Sequence, residues 1–305
     1  DKVKTILEKS PSNSIILFEN TRFESGEENN SKELAKNISE NADYFINDAF
    51  SVSHRSHMST TGLSNYLPSF SGRYLDKEIL MINKALNIGN GKRLGIIGGS
   101  KISTKLKVLE NLTEKLDVLF VGGGMANTFL LAKGYKIGKS LCEKSMLKTA
   151  INILDTAKNK NCELIFPEDA LIANDMEKGT SFSEVMIDNV PNDALILDIG
   201  SKTIENINEF LSSVSTVVWC GPLGLFELNP FQTGTVSVAK EISKLTKDGK
   251  LISVAGGGDT VAALSQSNYN KDFTYISTAG GAFLELLAGE SLPGIEVLKI
   301  DSEEK

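Results

Sequence analysis

The sequence has few of the residues that build metal sites and disulfide frameworks. It contains three cysteines and two histidines among 305 residues. Cys142, Cys162 and Cys220 are scattered and form no CxxC pair, and His54 and His57 alone do not supply a zinc-ligand set. The composition therefore excludes a disulfide scaffold and a structural zinc domain, and it favours a cytoplasmic, reducing location.

Excess positive charge and long apolar runs are also lacking. The formal net charge is −7, with 32 lysines and arginines against 39 aspartates and glutamates. A net negative chain is poorly suited to nucleic acid or to an anionic membrane surface. No apolar run approaches the length of a membrane span. We therefore expect no nucleic acid and no membrane as partner, and small molecules as ligands.

The sequence does contain a regular alternation of short β-type runs and amphipathic helical stretches. This alternation predicts an α/β fold in which parallel sheets are flanked by helices. With 41% hydrophobic residues, the chain can bury one large core or two ordinary ones. The β-type runs are residues 15–18, 44–47, 94–97, 118–121, 163–166, 194–197, 216–219, 251–254 and 275–277.

A helix-like stretch at residues 73–87 separates two strand-rich blocks of unequal size. Its apolar residues recur at close to helical spacing, and it ends in Asn87, Gly89 and Gly91, which are typical helix-stop residues. We interpret it as a connector between two domains. One more surface helix is the alternative interpretation.

Four glycine-rich turns directly follow β-type runs. Glycine lets the backbone approach a bound group, and the helix that follows adds partial positive charge. Any one turn is equally well explained as a tight connection, whereas four at separate strand ends predict one sheet edge that holds a polyphosphate. The segments are LGIIGGSK ending at Lys101, VLFVGGG ending at Gly124, LISVAGGGDT ending at Thr260 and FTYISTAGG ending at Gly281.

Two arginines and a histidine follow predicted strands in the N-terminal block. Arg22 follows the run at 15–18, and His54 and Arg55 follow the run at 44–47. The guanidinium fork suits carboxylate and phosphate groups. Beyond the ends of neighbouring strands, both arginines would face one crevice and bind a small anion. A solvated surface position is the alternative for each arginine taken alone.

Two lysines accompany the first glycine turn. Lys101 and Lys105 are four residues apart, so on a helix that begins near Ser100 they would share one face and project toward a phosphate. Their context is not a Walker loop, because that motif needs a longer loop and a Gly-Lys-Ser/Thr sequence. The pair therefore predicts phosphate contacts of another type.

Acidic residues accompany two further turns. Asp259 and Thr260 open a helix, where Asp259 is either an N-cap or, beside a triphosphate, a ligand of Mg²⁺. Glu227 follows a strand and a Gly-Pro turn. Its carboxylate is suited to accept ribose hydroxyls, and an exposed surface position is the alternative.

Together these segments resemble the phosphoglycerate kinase family over nearly the whole chain. The resemblance implies a two-domain α/β kinase of glycolysis that transfers a phosphoryl group between 1,3-bisphosphoglycerate and ADP, giving 3-phosphoglycerate and MgATP. It also implies a monomer. The matching segments, in the family's order and spacing, are ILFENTRFESGEE, YFINDAFSVSHRSH, LGIIGGSKISTKL, VGGGMANTFL, VVWCGPLGLFE, SVAGGGDT and STAGGAFLELLAGESLPGIEVL.

The resemblance also implies domain bounds. They are residues 1–72 for an incomplete N-terminal phosphoglycerate-binding domain, 73–88 for an interdomain helix, 89–289 for a Rossmann-like nucleotide-binding domain, and 290–305 for a C-terminal segment that returns to the N-terminal domain.

Residue roles follow from the same resemblance, position by position. The implied phosphoglycerate ligands are Arg22, His54 and Arg55. The implied catalytic groups around the transferred phosphoryl are Lys101, Lys105, Gly280 and Gly281. The implied nucleotide site, with ATP or ADP as substrate, comprises Lys105, Gly122, Gly123, Glu227, Gly257, Gly258, Asp259 and Thr260. Asp259 is the implied Mg²⁺ ligand.

Two departures from the family pattern bear on activity. The family's Trp-Asn-Gly-Pro turn has Cys220 in place of asparagine, and a thiol is a weak donor. The family's chains also begin roughly ninety residues earlier, with further substrate-binding residues. The alternative function is therefore a truncated nucleotide-binding chain with little or no turnover. A dinucleotide-dependent reductase is disfavoured, because no GxGxxG is followed by an acid at the required distance.

Overall fold

The computed structural model describes residues 2–86, 91–177, 179 and 181–299. The chain divides into two compact units, which we call unit 1 (Asp1–Lys77 with Ser291–Lys305) and unit 2 (Glu78–Glu290). Residues 87–88 of the predicted interdomain helix, 89–90 of the predicted nucleotide domain and 300–305 of the predicted C-terminal segment lie outside the described residues. The domain bounds stay a prediction.

Unit 1 contains one small sheet and short helical segments. Strands β1 and β2 pair in parallel, with Phe45 opposite Ser69. The second helix starts at an N-cap, because the Ser31 hydroxyl accepts a hydrogen bond from Leu34 N. The elements are α1 (Lys2–Lys9), α2 (Lys32–Ser39), β1 (Phe45–Asn47), β2 (Ser69–Ser71) and α3 (Arg73–Leu86), which crosses into unit 2. Three 3-10 helices are Thr21–Phe23, Phe50–Val52 and Gly62–Asn65.

The predicted strand at residues 15–18 is wrong. The segment has no regular secondary structure, and Ile15 and Leu17 are 99% and 96% exposed. β-type residues favour a strand only where the strand can pair and bury one face. No strand of the described residues pairs with this segment, so its composition alone does not produce a strand.

Unit 2 is built on a six-stranded parallel sheet of order β11-β10-β9-β3-β4-β5. Every residue of β4 and β9 is buried, as expected for apolar strands that helices cover on both faces. The strands of unit 2 are β3 (Arg93–Ile97), β4 (Val118–Val121), β5 (Glu163–Ile165), β6 (Asp169–Ala173), β7 (Phe182–Met186), β8 (Leu195–Ile199), β9 (Thr216–Cys220), β10 (Ile252–Gly256) and β11 (Tyr275–Ser277).

Helices pack against this sheet around Trp219, which is fully buried. Its core cluster includes Ile207 and Leu211 from one helix and Val238 and Ile242 from the next. The helices are α4 (Leu106–Lys115), α5 (Gly123–Ala132), α6 (Leu147–Asn159), α7 (Ser201–Ser213), α8 (Thr233–Lys247), α9 (Gly258–Ser267), α10 (Gly281–Leu287) and, back in unit 1, α11 (Pro293–Glu296). The α/β class predicted from the sequence is confirmed.

A second sheet of unit 2 is antiparallel, with order β7-β6-β8. The prediction placed the run at 194–197 among parallel strands, but it contributes to β8, which pairs antiparallel with β6. β6 and β7 were not predicted. β6 follows β5 after only three residues, and the sequence of β7, FSEVM, is largely exposed and shows no clear alternation. Within the described part of the chain, no helix is long and apolar enough to cross a membrane.

Candidate functional site

A cavity of about 260 Å³ lies in unit 2, where the glycine turns follow β3, β4 and β10. The carboxyl ends of parallel strands meet at one sheet edge, so turns that are distant in sequence converge there. The lining residues from these turns are Gly99, Ser100, Gly123, Gly124 and Asp259. Further lining comes from residues 222–227 after β9 and residues 196–199 of β8. Gly280 and Gly281 follow β11 and are not among the lining residues.

Close backbone packing explains why glycine is required at positions 98 and 123. Gly99 N donates to Pro222 O at 3.1 Å, and Gly123 N donates to Leu223 O at 3.1 Å. A Cβ atom at Gly98 would overlap Pro222 O, and one at Gly123, which has a φ of +65°, would lie 2.7 Å from Gly99 N. The turns after β3, β4 and β9 therefore form one interlocked backbone wall of the cavity.

The shared helix face predicted for Lys101 and Lys105 is wrong. Helix α4 begins only at Leu106, and Lys105 is its N-cap. Residues 102–105 form a turn in which Lys105 N donates to Ile102 O and the Thr104 hydroxyl donates to Lys101 O. Serine and threonine side chains that bond to nearby backbone groups favour such turns over helix.

The two lysines consequently have different environments. Lys105 Nζ donates to Gly98 O at 2.7 Å and to Cys220 O at 3.1 Å, so it bridges the ends of β3 and β9. Lys101 is exposed, and no carboxylate of the described residues forms an ion pair with it. Lys105 is thus a fixed positive charge inside the strand-end wall, whereas the ammonium of Lys101 faces solvent.

Cys220 is buried beside Lys105. Burial raises the pKa of its thiol, and the neighbouring Lys105 ammonium partly opposes that shift. Its Sγ lies 3.7 Å from the position that a Cβ on Gly257 would occupy. The thiol therefore lies between the lysine and the turn that follows β10.

The turn after β10 begins helix α9, with Gly257 as the N-cap at a φ of +93°. Asp259 lies in the first turn of α9, so the interpretation of Asp259 as N-cap is wrong. Its side chain is exposed and lines the cavity. Thr260 is buried, and its hydroxyl accepts a hydrogen bond from Gly221 N at 2.6 Å. The arrangement leaves the Asp259 carboxylate facing the cavity at a helix N-terminus.

Glu227 lines the cavity, whereas Gly122 does not. Glu227 is exposed and lines the cavity. Gly122 N donates to Ile97 O at 2.8 Å, and Gly122 is buried. The structure thus brings Gly123, Glu227 and Asp259 to one cavity.

In unit 1 the predicted pairing of two arginines at strand ends does not form, because residues 15–18 are not a strand. Arg22 lies in the 3-10 helix Thr21–Phe23, and its Nε is 3.8 Å from Glu28 Oε1, with both side chains exposed. His54 is half-buried and Arg55 is exposed, just after the 3-10 helix that follows β1. These three residues are therefore carried by irregular segments.

Two acidic residues near the cavity were missed. Asp198, at the end of β8, lines the cavity; its carboxylate accepts hydrogen bonds from Gly234 N and Ile199 N. Burial raises the pKa of Asp198 to about 8. Glu143 accepts hydrogen bonds from the backbone and hydroxyl of Ser103. An acid inside the apolar run LILDIG was the one signal for Asp198, and no local sequence pattern marked Glu143.

Among the described residues, no group of three or more His, Cys, Asp or Glu side chains could hold a metal ion by itself. Mg²⁺ is commonly held by one or two carboxylates together with phosphate oxygens of a substrate. Asp259 fits the arrangement in which a carboxylate and substrate phosphates share the ion, because its carboxylate is exposed to the cavity and forms no ion pair with a described residue.

Comparison with known proteins finds one recurring description. The family model for phosphoglycerate kinase matches residues 1–290. Phosphoglycerate kinase of Methylorubrum populi is 50% identical over 285 residues, which are 93% of this chain and 71% of the relative. Phosphoglycerate kinase of Brucella melitensis is 49% identical over 301 residues, which are 98% of this chain and 76% of the relative. The solved structure of phosphoglycerate kinase from Coxiella burnetii is similar with a TM-score of 0.87 at 41% identity, over 92% of this chain and 71% of that one.

Proposed function

Because the chain belongs to the phosphoglycerate kinase family, we propose that the cavity of unit 2 binds the adenine nucleotide of the family's reaction. That reaction is the ATP-forming transfer of a phosphoryl group from 1,3-bisphosphoglycerate to ADP, a step of glycolysis. The chain is a phosphotransferase of this family. The alternative, a truncated binding chain with little turnover, is not borne out by the comparisons.

Phosphoryl transfer sets clear physical demands on a site. It requires in-line positioning of donor and acceptor and positive charge around the transferring group, with little covalent help from the protein. Backbone N–H groups, helix N-termini, lysines and Mg²⁺ supply that charge. The strand-end edge of unit 2 offers each of the protein groups, which supports the proposal.

We propose that different parts of the cavity bind the base and the sugar. Apolar side chains of Leu130, Leu141 and Leu223 line it beside Gly123, as suits a flat aromatic base. Glu227 is exposed and also lines the cavity, and its carboxylate suits ribose hydroxyls. We assign the base to the apolar part and the ribose to the part beside Glu227.

The phosphates and their metal ion belong at the N-terminus of α9. Backbone N–H groups of Gly258, Asp259 and Thr260 begin this helix, and such termini favour anions. The Asp259 carboxylate beside them would hold Mg²⁺ together with phosphate oxygens. When bound, Mg²⁺ neutralises phosphate charge and holds the phosphates in one geometry.

The transferred group would meet the lysines and the last glycine turn. Lys101 has an exposed ammonium that is available to an anion, and Lys105 places a fixed charge at the ends of β3 and β9. Gly280 and Gly281 begin α10 and would add backbone N–H donors. We assign all four residues to stabilisation of the phosphoryl group.

In unit 1 we assign Arg22, His54 and Arg55 to 3-phosphoglycerate. The exposed guanidinium groups of Arg22 and Arg55 suit its carboxylate and phosphate. We also propose a cytoplasmic, monomeric protein. The three unpaired cysteines and the glycolytic family support the first of these points.

The observation that carries the proposal is the convergence of Gly123, Glu227 and Asp259 on one cavity. Isothermal titration calorimetry tests it. The wild-type chain should bind MgADP, and Asp259→Ala should weaken MgADP at least tenfold, about 1.4 kcal/mol, with little change for ADP in EDTA. Asp155→Ala, an exposed aspartate on α6, is the matched control. Absence of MgADP binding by the folded wild type, or equal losses with and without metal, would contradict the assignment.

A further inference from the structure

The turn that carries Lys101 and Lys105 is held from outside by one carboxylate. Glu143 Oε2 accepts a hydrogen bond from Ser103 N at 3.0 Å, and Glu143 Oε1 accepts one from Ser103 Oγ at 2.5 Å. Ser103 lies midway between the two lysines. Glu143 therefore binds both the backbone and the side chain of the central residue of the turn.

Other contacts fix the inner side of this turn but not its outer corner. The Ile102 side chain is fully buried, and Lys105 is held through its ammonium. At the outer corner, Ser103, Thr104 and Lys101 are exposed. The bond from the Thr104 hydroxyl to Lys101 O lies within the turn itself. Among the described side chains, Glu143 supplies the hydrogen bonds that connect this outer corner to another segment.

Glu143 is itself anchored to the wall of the cavity. Its backbone N donates to the Thr128 hydroxyl of α5 at 2.9 Å. Two residues before it, Leu141 O accepts from Asn127 Nδ2 at 3.1 Å, and both Leu141 and Asn127 line the cavity. Glu143 thus connects helix α5, beside the proposed base site, to the turn that carries the lysines.

The negative charge of Glu143 attracts Lys101 without forming an ion pair with it. Partial burial opposes ionisation, but the Ser103 hydrogen bonds and the positive charge of Lys101 outweigh it, and the pKa of Glu143 is lowered below its ordinary value. The carboxylate is therefore ionised at neutral pH. No ion pair within 4 Å joins it to Lys101 in the described structure. Lys101 is thus attracted toward the Glu143 carboxylate, while its ammonium stays available to a phosphoryl group.

We propose that Glu143 is a positioning residue for phosphoryl transfer, which acts by holding the Ser103 turn so that Lys101 stays directed at the transferred group. The inference rests on the role proposed above for Lys101. It predicts that loss of the Glu143 carboxylate reduces turnover while the cavity still binds nucleotide, because Glu143 does not line the cavity and the proposed ribose and metal ligands, Glu227 and Asp259, lie on other segments.

Steady-state kinetics on the full chain test the proposal. Glu143→Ala should lower kcat about 10- to 100-fold, since small misplacement of a positioned group costs that much, with less than about a threefold change in KM for MgADP. Glu143→Gln, which keeps an acceptor for Ser103 N, should recover part of kcat. Glu209→Ala, an exposed glutamate of α7, should behave as wild type. Wild-type kcat in Glu143→Ala, or a loss confined to KM, would overturn the inference.

A double-mutant cycle with Lys101 separates positioning from general stability. If Glu143 acts through Lys101, then Lys101→Ala with Glu143→Ala should be no slower than Lys101→Ala alone. Additive losses, or a drop in thermal midpoint that accounts for the lost activity of both Glu143 variants, would overturn the inference. If Lys101→Ala itself keeps wild-type turnover, the proposed role of Lys101 fails, and the inference fails with it. A slow Lys101→Ala beside a normal Glu143→Ala would overturn the inference alone.

Discussion

The sheets of units 1 and 2 differ in how far they are covered. In unit 2, every residue of β4 and β9 is buried within a sheet of six strands. In unit 1 the sheet has two strands among the described residues, and Ile46 and Phe70 on them are 62% and 53% exposed. Parallel sheets normally bury both faces, and small sheets gain little independent stability. We therefore infer that unit 2 is the more rigid of the two units.

The difference extends to the proposed sites. Several of the proposed nucleotide residues of unit 2, such as Gly122 and Gly257, directly follow buried strands, so strand packing fixes where their turns lie. The proposed phosphoglycerate residues of unit 1 lie on 3-10 and irregular segments, and Arg22 is exposed beside Glu28. We infer that nucleotide binding is built on the more stable unit, and the following substitutions test that difference.

The largest expected effect is on the free energy of unfolding, and it differs between two leucine substitutions. Leu211→Ala, in the core of unit 2, should lower the free energy of unfolding by about 2–5 kcal/mol, because it leaves a cavity among buried side chains. Leu17→Ala, at an exposed position of unit 1, should change it by less than about 0.5 kcal/mol. Urea unfolding measures both. A loss for Leu17→Ala as large as that for Leu211→Ala would show that residues 15–18 are buried in solution.

Next in size is the effect of removing a substrate ligand from unit 1. Arg22→Ala should raise KM for 3-phosphoglycerate about tenfold or more, since a hydrogen bond to a charged group contributes ~1.5–3 kcal/mol. The affinity for MgADP should be unchanged, because Arg22 belongs to the other unit. Arg73→Ala, also exposed in unit 1, is the control. A change in MgADP affinity without a change in KM would contradict the division of labour between units.

The pH dependence of stability should carry a signature of Asp198. Its folded pKa is raised to about 8 by burial, against an ordinary value of 3.8. The stabilisation from its protonated form is therefore complete below pH 4 and is lost as pH rises toward 8. Relative to Asp198→Asn, the wild type should lose on the order of 1 kcal/mol per pH unit in this window. A constant difference from pH 5 to pH 8 would show that Asp198 does not titrate there.

The smallest expected effect concerns Cys220. Cys220→Asn should tighten nucleotide binding by about 1 kcal/mol or less, as expected for one regained hydrogen bond beside Lys105. Calorimetry with MgADP measures it, and Cys162→Ser, at a buried cysteine directly before β5, is the control. Weaker binding would mean that the buried position has no room for the amide.

Much of unit 2 was predictable because its strands are apolar and bounded by glycine. The runs that became β4 and β11 were predicted with the bounds that the structure has, and the predicted glycine turns at Gly123 and Asp259 follow β4 and β10. The prediction of a strand at residues 15–18 was wrong because apolar composition cannot show whether a neighbouring strand exists. The prediction that a helix begins before Lys101 was wrong because Ser103 and Thr104 favour a turn there.

The contacts that complete the candidate site were not predictable from local patterns. Glu143 binds Ser103 across forty residues, and Asp198 binds Gly234 across thirty-six. Single-sequence patterns report periodicity and turn chemistry over a few residues, whereas these bonds depend on how the sheet brings distant loops together. The glycine turns could thus be predicted from the sequence, whereas the residues that hold those turns in place could not.

Hydrogen exchange with and without MgADP tests the central claim most directly, namely that unit 2 is the rigid, nucleotide-binding part of the chain. Without ligand, β4 and β9 should exchange far more slowly than β1 and β2. With MgADP, protection should rise at residues 98–105, 122–124, 221–227 and 257–260 and stay unchanged at residues 11–30. Equal protection of the two sheets, or MgADP protection absent from those four turns, would contradict the account.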